Sequence, residues 1–185
     1  MFDLNKIDKT WTLFIDRDGV FNHEKKEDYI LNWGEFSFYE GVLDTVEILN
    51  KRFGTIVMVT NQKGVGKGLM TVDDLNHIHQ NMMEAIVSHK GRIDKIYYAP
   101  DLASDAPNRK PNAGMALQAK NDFPHINFSK SIMVGNKLSD MGFGRNAGAY
   151  TVFLATTNPE TLFPHPDIDA RFANLPAFAA ALIKA

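Results

Sequence analysis

The sequence predicts an α/β fold of three layers, in which a mainly parallel central sheet of about five strands is covered by helices on both faces. Short apolar runs alternate with helical patterns along most of the chain, which is typical of parallel sheets. The 185 residues suffice for a domain with a full core, and neither a long linker nor an internal repeat divides them. We therefore expect a single domain over residues 1–185.

Each element has a local signal. Short apolar runs bounded by turn residues predict strands at 11–15, 55–59, 93–98, 131–134 and 150–154. Apolar residues at three-to-four spacing predict helices at 42–53 and 75–86. Thr71 is a candidate N-cap of the second of these, with Asp74 in its first turn and Gly91 as its stop. Further helices are expected at 112–122, 137–147 and 175–184.

Residues 19–39 directly follow the first predicted strand and are polar and aromatic without a clear period. We expect an inserted loop or small flap there. Open α/β sheets bind their ligands at loops that follow the carboxyl ends of strands. This segment is therefore expected to border a binding site.

Composition argues against several classes of function. The formal net charge of −2 lacks the strongly basic footprint of nucleic-acid binding, so we expect no nucleic-acid partner. The absence of cysteine excludes disulfides, thiol catalysis and cysteine-ligated zinc. No stretch resembles an export signal or a membrane span, so we expect a cytoplasmic protein without a membrane partner.

Two motifs follow the first two predicted strands. Asp16 and Asp18 come directly after an apolar run, and carboxylate oxygens are the ligands that Mg²⁺ prefers; a solvated acidic turn is the alternative. Thr60 ends the next strand, and its hydroxyl could donate to a phosphate oxygen. The loop 63–68 that follows is rich in glycine and lysine, which suits an anion, although it lacks the ending of a Walker A loop and could be a plain surface loop.

Two further motifs lie later in the chain. Lys110 precedes Pro111 at a predicted helix start, where a lysine and backbone N–H groups could bind phosphate; an exposed basic turn is the alternative. The segment 135–140 clusters an amide, a lysine and a carboxylate after the fourth strand, where a capped turn is the alternative. Because all four motifs fall at one edge of a parallel sheet, together they favour phosphoryl transfer to an aspartate.

The four motifs, in this order, resemble those of the haloacid dehalogenase (HAD) superfamily of phosphohydrolases, over about residues 11–154. Within it, the chain resembles subfamily IIIA, which holds the heptose-bisphosphate and histidinol phosphatases. The supporting segments are 16–20, 60–62, 109–115 and 134–141. The resemblance implies a Rossmann-like HAD fold and an aspartyl-phosphate intermediate.

The resemblance also implies roles for individual residues. Asp16 would be the nucleophile and a metal ligand, and it must be ionised. Asp18 would be general acid and then general base, with its backbone carbonyl on Mg²⁺, and it must keep a proton at the right moment. Thr60 and Lys110 would hold the transferring phosphoryl group. The other expected metal ligands are Asn136 and Asp140, and the substrate contacts are Arg17, Asn61, Gln62, Lys63, Lys67, Arg109 and Lys137.

Two departures from the family pattern matter. Asn136 stands where the family usually has aspartate, so the set of metal ligands has one negative charge fewer. Asp140 could supply the missing carboxylate. The stretch 98–108 has no cysteine or histidine where relatives commonly carry a zinc loop, so we expect no structural zinc. The chain also lacks room for a large cap domain, which predicts an open site whose selectivity depends on loops.

These observations predict a Mg²⁺-dependent phosphatase of a small phosphorylated metabolite, a heptose bisphosphate first. The alternatives are histidinol phosphate, a polynucleotide 3′-phosphate, or a catalytically weakened protein that binds a phosphorylated ligand without turnover. We expect a monomer or a weak dimer. His77 and His79 are expected on the surface of their helix rather than at a metal site.

Overall fold

The computed structural model describes residues 2–26 and 28–184. Its core is a six-stranded sheet in the order β3-β2-β1-β4-β5-β6, and every neighbouring pair is parallel. The strands are β1 (Thr12–Ile15), β2 (Thr55–Asn61), β3 (Lys95–Ala99), β4 (Ser131–Gly135), β5 (Tyr150–Leu154) and β6 (Ala170–Phe172). The helices are α1 (Val42–Arg52), α2 (Lys63–Gly66), α3 (Val72–Ser88), α4 (Gly114–Asp122), α5 (Leu138–Ala147) and α6 (Leu175–Lys184).

Helices cover both faces of the sheet, which confirms the three-layer α/β fold. Successive strand residues point to opposite faces, so Leu13 and Ile15 pack with α1, α3 and α6, whereas Phe14 packs with α4 and α5. Helix α3 begins as expected: the Thr71 hydroxyl accepts from the Asp74 backbone N–H at 3.1 Å, and the Asp74 carboxylate accepts from the Thr71 N–H at 2.8 Å. No helix in the described part of the chain is long and apolar enough to span a membrane.

The five predicted strands are present within a few residues of their expected bounds. The sixth strand, β6, was not predicted, because it has three residues and follows a proline-rich loop without an apolar run. The four-residue helix α2 was not predicted either, since two of its residues are glycine.

The segment 19–39 packs against the rest of the structure through aromatic and aliphatic side chains. Phe21, Ile30 and Phe36 are buried, and the Phe36 ring lies 4.9 Å from Trp33 and 5.0 Å from Phe38, measured between centroids. Apart from the 3₁₀ turn at Trp33–Glu35 and isolated bridges, its described residues form no regular element. We refer to residues 19–39 as the flap.

The order of the strands decides where a ligand can bind. Strands β2 and β3 lie on one side of β1, and β4 to β6 lie on the other. The chain therefore changes direction across the sheet between β1 and β4, and the crevice outside such a switch point is the usual ligand site of open α/β sheets. Asp16 follows β1 and Asn136 follows β4, so both stand at this crevice.

Candidate active site

The carboxyl edge of the sheet opens into a cavity of about 850 Å³. Strand ends and helix starts carry all four motifs to it. The cavity is lined by residues of each motif, among them Asp16, Asp18, Thr60, Lys110 and Asp140. The flap forms another part of its wall, with Glu24, Lys25, Lys26 and Tyr29.

A buried lysine connects two carboxylates at the floor of the cavity. Lys110 Nζ lies 2.9 Å from Asp16 Oδ1 and 2.7 Å from Asp140 Oδ1, and it donates to the Val59 carbonyl at 2.9 Å. Burial opposes the charge of Lys110, but the carboxylates of Asp140 and Asp16 outweigh it and raise the pKa of the lysine. Lys110 therefore stays charged and offsets negative charge at this point.

The protein groups around Asp16 raise its pKa. Burial raises the pKa of Asp16 to about 7; Lys110 acts against this rise, whereas the neighbouring Asp140 and Asp18 add to it. The backbone N–H of Arg17 donates to Asp16 Oδ1 at 2.7 Å, so both this bond and the Lys110 contact fall on the same oxygen.

The pKa of Asp18 is shifted in the opposite direction. Its Oδ1 accepts from Arg17 Nη2 at 2.9 Å and from Asn22 Nδ2 at 3.0 Å, and its Oδ2 accepts from Gln62 Nε2 at 2.9 Å. Burial acts to raise the pKa of Asp18, but Arg17 and these hydrogen bonds hold it below its usual range. The sequence led us to expect divergent pKa values for these two carboxylates, and the protein groups around them shift the two values in opposite directions.

Three expected substrate contacts, Arg17, Asn61 and Gln62, line the cavity and also bond to protein groups. The Arg17 side chain is 1% exposed, and its guanidinium group contacts Asp18 and Gln62. Gln62 Nε2 also donates to the Thr60 hydroxyl at 2.9 Å. The Asn61 side chain exchanges two hydrogen bonds with the backbone of Lys110, at 3.0 and 3.1 Å. These side chains thus orient the catalytic candidates, because their polar groups are already satisfied.

The remaining expected substrate contacts are lysines and an arginine near the rim. Lys63, Arg109 and Lys137 line the cavity. Lys67 is not among the cavity-lining residues that the structure describes; its Nζ lies 5.1 Å from the centroid of the Tyr29 ring. The sequence could not show which of these lysines line the cavity, because that depends on tertiary contacts and not on the local sequence of a loop.

Asn136, in the loop after β4, is fully buried and is not among the cavity-lining residues that the structure describes. Its Nδ2 donates to the Thr157 hydroxyl at 2.6 Å and lies 3.4 Å from a carboxylate oxygen of Glu24. Asp140 Oδ2 accepts from the backbone N–H groups of Asn136 and Lys137, at 3.1 and 3.0 Å. Asp140 therefore has one oxygen on two backbone amides, while its other oxygen lies 2.7 Å from the buried Lys110 Nζ.

Two residues near the site were not predicted there. Glu24 of the flap lies 2.6 Å from Lys137 Nζ, and nothing in the irregular flap sequence marked it. His79 was expected on the helix surface but is buried, with its Nε2 3.2 Å from Arg17 Nη1. A usable signal existed, because His79 follows Leu75 by four residues and therefore shares the buried face of α3.

The fold and this arrangement define a class of protein. A carboxylate pair, a hydroxyl, a lysine and an acidic loop, placed at successive strand ends of a parallel sheet, are characteristic of HAD-type phosphatases. The model of a family described as polynucleotide kinase 3 phosphatase matches residues 1–174. The chain belongs to this family and is a HAD-type phosphoric monoester hydrolase.

The names of individual relatives specify a substrate. A Campylobacter jejuni protein named D-glycero-alpha-D-manno-heptose-1,7-bisphosphate 7-phosphatase is 36% identical over 146 residues, which cover 79% of this chain and 83% of that protein. A Mycobacterium tuberculosis protein of the same name is 34% identical over 173 residues, with 93% and 91% covered. The crystal structure of D,D-heptose 1,7-bisphosphate phosphatase from B. bronchiseptica, complexed with magnesium and phosphate, has a TM-score of 0.85 at 26% identity and covers 94% of this chain and 98% of that one.

Proposed function

We propose that the protein hydrolyses the 7-phosphate of D-glycero-D-manno-heptose 1,7-bisphosphate through an aspartyl-phosphate intermediate at Asp16. The observation that carries the reaction is the buried contact between Asp16 and Lys110 at the sheet's switch point. The substrate rests on the relatives that bear this name at 33–36% identity. We expect the enzyme to work in the cytoplasm as a monomer.

Asp16 supplies the nucleophilic oxygen in this proposal. Its Oδ1 is engaged by Lys110 and by the Arg17 N–H, which favours Oδ2 as the attacking atom. Lys110 offsets the charge that gathers on the phosphoryl oxygens in the transition state, and the Thr60 hydroxyl donates to one of them. Formation of the aspartyl phosphate breaks the bond between phosphorus and the sugar oxygen.

Asp18 then acts as general acid and general base. It gives a proton to the departing sugar oxygen and, in the second half of the reaction, takes one from the water that attacks the phosphoenzyme. The hydrogen bonds from Arg17, Asn22 and Gln62 stabilise the ionised carboxylate, which is the form required for the second role. They also fix the direction in which the carboxylate points.

The residues present fit a magnesium ion. Asn136 Oδ1 is buried and has no hydrogen-bond partner among the described residues, so a cation could satisfy it. No group of three His, Cys, Asp or Glu side chains in the described residues is arranged to hold a metal. Asp16, the Asp18 carbonyl, Asn136 and Asp140 would hold the ion. Bound Mg²⁺ would favour the ionised form of Asp16 and would supply a Lewis acid for the phosphoryl group.

The cavity has room for more than the reacting phosphate. Lys63, Arg109 and Lys25 line it beyond Lys110, and such cations would suit the second phosphate of a bisphosphate. A polynucleotide 3′-phosphate is a second candidate because of the family that the chain matches. The net charge of −2 makes it the less favoured one, since phosphate contacts dominate nucleic-acid affinity.

The experiment is a phosphate-release assay with Mg²⁺ on heptose 1,7-bisphosphate, histidinol phosphate and a 3′-phosphorylated oligonucleotide. We expect turnover to be fastest on the heptose bisphosphate and to be lost in Asp16→Asn, with circular dichroism unchanged. Asp73→Asn, which removes an exposed carboxylate on α3, is the matched control. Absence of turnover on every substrate, or an active Asp16→Asn, would contradict the proposal.

A further inference from the structure

The mechanism leaves one buried titratable group unused. His79 on α3 is 8% exposed, and its Nε2 lies 3.2 Å from Nη1 of Arg17. An arginine has only donors, so the histidine nitrogen in this contact must be the acceptor. The neutral ring therefore carries its proton on Nδ1.

His79 is one of the hydrogen-bond acceptors around the buried guanidinium group of Arg17. Arg17 Nη2 donates to Asp18 at 2.9 Å and to Gln62 Oε1 at 3.3 Å, and Nε lies 3.3 Å from the same Asp18 oxygen. Among the contacts described for Nη1, the acceptor is His79. Because the guanidinium group is rigid and planar, an acceptor on one edge fixes the direction of the others.

We propose that His79 is a positioning residue for Asp18 and acts through Arg17. By accepting from Nη1, it holds the plane of the guanidinium group so that Nη2 and Nε face the Asp18 carboxylate. The proposal rests on the proposed function, in which Asp18 transfers protons. Burial and the adjacent Arg17 lower the pKa of His79 to about 3, so the ring remains an acceptor at working pH and does not shuttle protons itself.

Loss of the acceptor has a defined consequence. A buried N–H of a charged group without a partner is costly, so Arg17 would turn toward water or another acceptor. Asp18 would then lose two of its donor contacts or receive them in a different direction. Substrate binding would be affected little, because His79 does not line the part of the cavity that the structure describes.

Two variants separate positioning from packing. His79→Gln keeps an acceptor at the end of a side chain of similar reach, whereas His79→Leu keeps apolar volume and removes the acceptor. His77→Leu, on the exposed face of the same helix, is the control. We expect His79→Leu to lower kcat by about tenfold to a hundredfold, part of the effect of a positioned acid–base group, with KM nearly unchanged. His79→Gln should retain most of kcat.

A second readout does not depend on turnover. The Arg17 Nε–H resonance of the folded protein, followed by ¹⁵N NMR, should shift or broaden in His79→Leu and stay close to its original position in His79→Gln. Equal loss of kcat in both variants would mean packing and would overturn the proposal, as would an Arg17 signal unchanged in His79→Leu. If the unsubstituted protein shows no turnover, the proposed function fails, and the NMR comparison still decides whether His79 orients Arg17.

Discussion

Burial of His79 predicts a specific pH dependence of stability. Its pKa is lowered from 6.5 to about 3, first by burial and then by Arg17. Below pH 6.5 the unfolded chain therefore binds a proton that the folded chain does not, and folded stability falls as the pH falls toward 3. From the separation of the two pKa values, this histidine costs about 2 kcal/mol of unfolding free energy between pH 7 and pH 5.

Asp16 acts in the opposite direction in the metal-free protein. Its folded pKa of about 7 lies above the ordinary 3.8, so here the folded chain binds the proton first. That contribution is present below pH 3.8 and is lost as the pH rises through about 7. Because the two groups oppose each other between pH 5 and 7, the curve of the unsubstituted protein alone does not isolate the histidine.

The assay compares urea denaturation of the protein and of His79→Gln at pH 7, 6 and 5 with a chelator present. Contributions from Asp16 and other carboxyls cancel in the difference between the two proteins. We expect that difference to move by about 2 kcal/mol in favour of the variant from pH 7 to pH 5. His77→Gln, changed at an exposed position of the same helix, is the control. A difference independent of pH would refute the reasoning.

Further predictions concern the metal loop and the fold. Asn136→Asp should tighten Mg²⁺ binding by about tenfold in calorimetry, because a charged carboxylate replaces a neutral amide as ligand; an unchanged affinity would contradict this. Gly135→Ala should destabilise by about 2 kcal/mol in urea, since the added Cβ would lie 2.3 Å from the Asp140 Cβ; wild-type stability would show that the loop yields. Thr71→Ala should cost about 1 kcal/mol through the lost N-cap, as measured by thermal unfolding, and no cost would argue against the capping contact. Metal analysis should find no stoichiometric zinc, because residues 98–108 contain no cysteine or histidine.

The layers of the fold were predictable because each long element has a periodic apolar pattern. Helix α3 has one apolar face and a capping pair at Thr71, and β4 is buried throughout, with an apolar run at 132–134. Elements without such a pattern were missed: β6 is three residues long, and the pairing that defines it comes from β5 rather than from its own side chains. Tertiary contact, not local preference, makes it a strand.

The candidate site was predictable in position but not in the direction of its side chains. The motifs place Asp16, Lys110 and Asn136 at one sheet edge because parallel strands end together. Whether Arg17 points into the cavity or into the core depends on partners far away in the sequence. Its acceptor His79 lies 62 residues further along the chain, and no local pattern connects them.

The central place of β1 has a consequence for how the protein comes to be active. Thr12 of β1 pairs with Ser131 of β4, so the nucleophile reaches the loop after β4 only through a contact that spans most of the chain. Such distant pairings form slowly, and a nascent chain cannot make this one until β4 has left the ribosome. Phosphatase activity should therefore appear late in synthesis and all at once, since a shorter product has the aspartate without the surroundings that make it reactive.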